Sequence, residues 1–155
     1  MKKWLSSIFI LCIAFSSVGC PGGAKENAAK GEEKGDVVVL DKAEFTAKVF
    51  DYEKNGGNWV YEGNKPCIVD FYADWCGPCK KVSPILKDLA ALYKDEIVVY
   101  KVDVDAENEL AAAFGISSIP TLLFVPAKGT PQIAQGALPR EELIKCIDTF
   151  LLGKE

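Results

Sequence analysis

An apolar run, Cys67-Ile68-Val69-Asp70-Phe71-Tyr72-Ala73, passes through Asp74-Trp75 into Cys76-Gly77-Pro78-Cys79-Lys80. Cys67 to Tyr72 is apolar on both faces, the pattern of a strand covered by helices on each side of a sheet. After the cysteines, Val82, Ile85, Leu86, Leu89 and Leu92 recur at core spacing, which predicts a helix from Cys79 to Lys94. The cysteines therefore stand where a central strand hands over to a helix, on its first turn. Unpaired backbone N–H groups and the positive end of the helix dipole stabilise an anion there. The anion that matters is a thiolate, the species that attacks disulfides, and this position lowers its pKa. Pro78 suits the turn because its missing N–H would have had no partner. Two sulfurs at this spacing close a small ring, so the pair can switch between dithiol and disulfide. A structural disulfide has no need of the strand–turn–helix setting. Zinc would need two more ligands, in a chain with no histidine and no second Cys-x-x-C.

Two charged residues interrupt the apolar runs. Asp70 loses solvation inside its strand, which disfavours the carboxylate and raises its pKa, unless the strand end lets it reach water. Lys101 breaks the run from Ile97 to Val104, read as a further strand, and a lysine there normally snorkels to the surface.

Trp75-Cys76-Gly77-Pro78-Cys79-Lys80, preceded by Val69-Asp70-Phe71-Tyr72-Ala73, resembles the thioredoxin family, over roughly Val37 to Leu152. The resemblance implies an α/β thioredoxin fold, a mixed central sheet with helices on both faces. It implies thiol–disulfide exchange with no metal or organic cofactor. Cys76 would be the exposed nucleophile that forms a mixed disulfide with the target, and Cys79 would resolve it. Asp70 matches the family's buried acid, which accepts the proton of the second cysteine, and Lys101 matches the lysine near that acid. Trp75, Gly77, Pro78, Ile119, Pro120 and Gly136 match the surface that receives the target strand, with the Ile119–Pro120 peptide bond cis. Pro84, inside the predicted helix and expected to kink it, also matches. Ser118 departs from the family, where glycine is common.

Upstream, Met1-Lys2-Lys3 and the apolar run from Trp4 to Phe15 read as a secretory signal peptide, residues 1–19; the run is too short to span a bilayer. Ser17-Val18-Gly19-Cys20 resembles a bacterial lipobox with Ser17 where leucine is usual, and its small residues also satisfy ordinary signal-peptidase cleavage. The next stretch favours lipidation of Cys20. Pro21 to Gly35 holds no large apolar residue, so residues 20–35 form a flexible tether. It would hold a domain about 20 Å from its anchor. The expectation is an exported, periplasmic protein, membrane-anchored through Cys20 and close to a membrane electron donor. Cys12 leaves with the leader and Cys20 is blocked, leaving Cys67, Cys76, Cys79 and Cys146. Loss of Lys2 and Lys3 takes the formal charge from −4 to −6, which argues against nucleic acid as a partner.

The remainder, 36–155, is long enough for one core and too short for two. Val37 to Leu40 reads as the first strand. Asp41 and Glu44 have capping-box spacing and start a helix that buries Phe45, Val49 and Phe50. An insert at about 53–65 carries turn signals around Trp59-Val60-Tyr61, which predict a small hairpin; Trp59 and Tyr61 could form an exposed partner contact, but folding back over the domain is the commoner outcome and is the one expected. Cys67 reads as a small buried hydrophobe. A helix from Asp105 to Phe114, ended by Gly115, precedes a strand at Thr121–Val125 and a turn into Pro131–Gln135. From Pro139 a closing helix carries Leu143, Ile144, Ile147, Phe150 and Leu151 on one stripe, with Cys146 at its edge. Parallel crossovers thus build the first half of the sheet and an antiparallel hairpin the second.

The pattern points to a protein-disulfide reductase acting on disulfide-containing proteins, with a monomer favoured. Two alternatives stay open. One is a periplasmic disulfide oxidase or isomerase, although strong oxidants of this fold usually carry a histidine between the cysteines and Gly77-Pro78 offers no side-chain donor. The other is a non-catalytic binding or chaperone module whose cysteines are incidental.

Overall fold

The computed structural model describes residues 35–154. The signal peptide, Cys20 and all but the last residue of the tether lie outside them. Strand β1 (Val37–Val39) leads into helix α1 (Lys42–Lys48) through the expected capping box. The Asp41 carboxylate accepts the Glu44 N–H at 2.8 Å, and the Glu44 side chain accepts the Asp41 N–H at 3.3 Å. Two of the four N–H groups that a helix start leaves orphaned are satisfied in this way. Asp41→Ala should therefore lower the unfolding free energy by about 1 kcal/mol, measurable by urea denaturation.

The insert does not form the expected hairpin. A short helix α2 (Tyr52–Asn55) opens it, and no strand pairs there. Instead the Glu62 N–H donates to the Val49 carbonyl at 3.0 Å, tying the segment to the end of α1. Aromatic packing wins over turn propensity: the Trp59 ring lies 4.5 Å from that of Phe50, and the Tyr61 hydroxyl donates to the Lys65 carbonyl. A Cβ at Gly63 would collide with the Tyr61 ring, so this glycine makes room for the fold-back.

Strands β2 (Cys67–Tyr72) and β3 (Val98–Asp103) flank helix α3 (Gly77–Leu92), which runs unbroken through Pro84. Helix α4 (Asn108–Ala113) starts later than expected, because residues 104–107 form a turn. Strands β4 (Thr121–Val125) and β5 (Gln132–Gln135) complete a five-stranded sheet of order β1-β3-β2-β4-β5. The first three strands are parallel, and β4 and β5 are antiparallel.

Alternation along the strands divides the core into two layers. On one face Ile68, Val99 and Leu122 pack against Val82, Leu86 and Leu89 of α3 and against Leu143 and Ile147 of the closing helix. On the other, Val69, Phe71, Val102 and Leu123 pack against Phe45, Val49 and Leu110. Cys67 is fully buried in this second layer, and desolvation pushes its thiol up to about 12.

The closing helix departs from regular periodicity. After α5 (Arg140–Lys145) it widens to a π-helical stretch, Cys146–Leu151. The Thr149 hydroxyl donates to the Lys145 carbonyl at 2.7 Å, occupying an acceptor that an α-helical N–H would use. The Leu152 N–H then reaches back five residues to the Ile147 carbonyl at 2.9 Å.

Candidate active site

The parallel order brings the carboxyl ends of β2 and β3 together, the end of an open sheet where sites are built. Tyr72 pairs in register with Asp103, so the chain leaves both strands at the same level. From β2 it turns through Ala73, Asp74 and Trp75, and Cys76 becomes the N-cap of α3. Its Sγ accepts the Cys79 N–H at 3.1 Å, and Pro78 stands in the first turn. The first cysteine thus receives one of the orphan donors of the helix start directly. Cys76 and Cys79 are joined in a disulfide of S–S 2.06 Å, with their Cα atoms 5.3 Å apart.

The family resemblance implies an exposed Cys76. Cys76 is not exposed in this oxidised form: only 3 % of its surface meets solvent, against 1 % for Cys79. Both pack with Ala73, against Tyr72, Val104 and Ile119. What distinguishes the two sulfurs is their place on the helix rather than their exposure. Cys76 caps it, and Cys79 lies inside its first turn.

On β2, Asp70 shares the parity of Ile68 and so faces α3 rather than α1. It is wholly buried, and neither carboxylate oxygen has a hydrogen-bond partner. Burial pushes its pKa up to about 6, and the positive charge of Lys101 pulls the other way. Lys101 stands directly opposite Asp70 in the register between β2 and β3. Its ammonium lies 4.0 Å from Asp70 Oδ2, 3.0 Å from Ser83 Oγ and 3.7 Å above the centre of the Tyr72 ring. The lysine does not snorkel freely to solvent; it is seated.

The remaining site residues divide into groups. The Ile119–Pro120 peptide bond is cis, and Ile119 is half-buried against the cysteines. The Pro120 carbonyl accepts the Gly136 N–H at 2.8 Å, and Gly136 has φ +91°, which favours glycine. Gly77 and Pro78 are exposed on the first turn. Trp75 is 69 % exposed and is held by Asp105, whose Oδ2 accepts the indole N–H at 2.7 Å. Among the described residues, no group of three or more histidine, cysteine or acidic side chains is placed to hold a metal ion.

Three contributors escaped the sequence reasoning: Tyr72, Ser83 and Asp105. Ser83 comes four residues after Cys79 and so lies on the same helix face. Asp105 lies two residues past Asp103, the register partner of Tyr72, and so meets the turn that carries Trp75. Both signals were present, but using them requires the strand pairing.

Comparison with known proteins identifies the family. The sequence pattern of the Thioredoxin family matches residues 36–149. A thioredoxin of Borreliella burgdorferi is 43 % identical over 113 residues, covering 73 % of this chain and 96 % of its relative. The chloroplastic M-type thioredoxin of Spinacia oleracea is 37 % identical, covering 74 % of this chain and 64 % of that one. Among solved structures, a single-residue mutant of a thioredoxin from Halobacterium salinarum superposes with a TM-score of 0.61 at 26 % identity, covering 76 % of this chain and 93 % of that one.

Proposed function

The chain belongs to the thioredoxin family and is a protein-disulfide reductase of the thioredoxin type; from that premise we propose that it reduces disulfides of exported proteins outside the cytoplasm, through Cys76 and Cys79. The observation that carries the assignment of roles is the placement of Cys76 as helix N-cap, with Cys79 inside the first turn and Asp70 buried on the sheet face below. In the reduced protein the Cys76 thiolate attacks one sulfur of a target disulfide. A mixed disulfide forms, and the other target sulfur leaves as a thiolate. Cys79 then attacks Cys76 Sγ, which regenerates the Cys76–Cys79 disulfide and releases the second target thiol. The Cys79 proton passes to Asp70. Ile119 packs against the cysteines, and together with Pro120, Gly136, Gly77, Pro78 and Trp75 it receives the target strand. Two electrons then return the pair to the dithiol, from a donor of the dithiol class carried by a membrane protein.

The place of action rests on the first residues of the chain. Lys2 and Lys3 before the apolar run from Trp4 to Phe15 support export, and Ser17-Val18-Gly19-Cys20 supports a lipid anchor on Cys20. A periplasm is kept oxidising and supplies no soluble reductant pool. A reductase there needs a donor at the membrane, and a short tether would keep the domain beside one. The full-length chain expressed in a bacterial host should partition with membranes in detergent extraction, and Cys20→Ser should release it. Wild-type protein that is fully soluble, with an unmodified N-terminus near Cys20, would refute the anchor.

A further inference from the structure

The seat of Lys101 has a feature that the exchange chemistry alone does not explain. Its ammonium lies opposite a buried carboxyl with two unpartnered oxygens, yet it stops at 4.0 Å, beyond hydrogen-bonding distance. A charge-assisted contact would close that gap by about 1 Å. What the ammonium contacts instead is the Ser83 hydroxyl, at 3.0 Å, while the Tyr72 ring supports it from a third side. We propose that Ser83 is a positioning residue, whose hydroxyl holds the Lys101 ammonium short of Asp70 so that the carboxyl stays free of a contact ion pair and able to take and release a proton.

Each element packed on Asp70 contributes to this arrangement. From β3 comes Lys101, and β2, the strand of Asp70 itself, supplies the Tyr72 phenol, whose ring carries the ammonium. From α3 come Ser83 and, one turn earlier on the same face, Cys79. On the β4 side the register partner is the apolar Leu122. Lys101 is therefore the cation that acts on the carboxyl, and its distance sets how strongly. At 4.0 Å it offsets part of the desolvation without removing the basicity that proton transfer from Cys79 requires. The Lys101 side chain is 17 % exposed, so without the Ser83 acceptor the nearest replacement for its lost hydrogen bond is Asp70 Oδ2 rather than open water.

The test is the Asp70 titration, followed by carbon-13 NMR of its carboxyl in the wild-type chain, Ser83→Ala and Ser83→Thr. In Ser83→Ala the midpoint should fall by about one pH unit, as a cation closing to contact produces. Ser83→Thr keeps the hydroxyl and should restore the wild-type midpoint. A midpoint in Ser83→Ala that stays in place or rises, or a folded Ser83→Thr that behaves like Ser83→Ala, would overturn the proposal. A kinetic arm rests on Asp70 as proton acceptor: Ser83→Ala should move the acidic limb of the resolution rate to lower pH, and should have no such effect in an Asp70→Asn background. The NMR arm stands without that role, so failure of Ser83 as a positioning residue and failure of Asp70 as the base are separable.

Discussion

Cys76→Ser should bring disulfide exchange down to the uncatalysed rate, whereas Cys79→Ser should retain the first chemical step and stall at the second. The difference follows from the helix start. Cys76 caps α3 and its Sγ accepts the Cys79 N–H at 3.1 Å, so a negative charge on this sulfur is stabilised by an orphan donor and by the dipole. A serine hydroxyl in the same place is not ionised near neutral pH and cannot form the mixed disulfide. Cys79 lies within the turn, and in the proposed mechanism it has no part in the first attack. Its serine variant should therefore accumulate mixed disulfides on Cys76, recoverable by mass spectrometry after acid quenching. Alkylation of the reduced wild-type protein near neutral pH should modify Cys76 first. If Cys76→Ser traps targets through Cys79, or if Cys79 is the faster to be alkylated, the two roles are reversed.

Asp70→Asn should stabilise the fold and slow resolution together, two effects with a single origin. Burial holds the folded-state pKa of Asp70 near 6, above the ordinary 3.8. The folded protein therefore binds this proton more tightly than the unfolded chain does. Stability from this group is fully present below about pH 4 and is lost as the pH rises through 6. At neutral pH the buried, unpartnered carboxylate is a liability, and its removal should raise the unfolding free energy by about 1–3 kcal/mol. The gain should shrink as the pH is lowered through the same window, because the wild-type carboxyl then becomes neutral too. Asparagine cannot accept the Cys79 proton, so the mixed disulfide should be resolved about 10²-fold more slowly near neutral pH, the lower end of what a general base contributes. Attack by Cys76 should be little changed. Denaturation curves from about pH 4 to 8, which bracket the titration, separate the two parts when paired with single-turnover kinetics. A variant less stable than wild type and unchanged in turnover would mean that Asp70 is solvated in the working protein.

Much of this was legible in the sequence because local and global signals agree around β2 and α3. An apolar run, a first-turn proline and cysteines three apart each point to the same strand-to-helix handover, and the Asp41–Glu44 box states its own helix start. Where signals conflict, the outcome turned on tertiary contacts that no local pattern carries. The turn residues around Trp59 suggested a hairpin, but stacking on Phe50 took the segment elsewhere. The stripe from Leu143 to Leu151 reads as a regular helix, and a single threonine hydroxyl bonded to a backbone carbonyl accompanies its widening. At the site, the residue types were legible and the exposure was not: in the oxidised pair Cys76 is packed almost as fully as Cys79. Asp105 acts on Trp75 between two turns and Ser83 acts on Lys101 from helix to strand, contacts that only the folded chain defines.

As a reductase, the Cys76–Cys79 pair gives electrons to its targets. Its equilibrium reduction potential tests this most directly, measured on the purified full chain against a thiol–disulfide couple of known potential. Gly77 and Pro78 add no charged or hydrogen-bonding side chain to stabilise the Cys76 thiolate, so the reduced form is not specially favoured. The expected value is close to the about −270 mV general for thioredoxins, a figure carried over from the family rather than obtained from this geometry. A potential near about −120 mV, the range of a strong oxidant with a highly stabilised thiolate, would contradict a reductase and make the protein an oxidase.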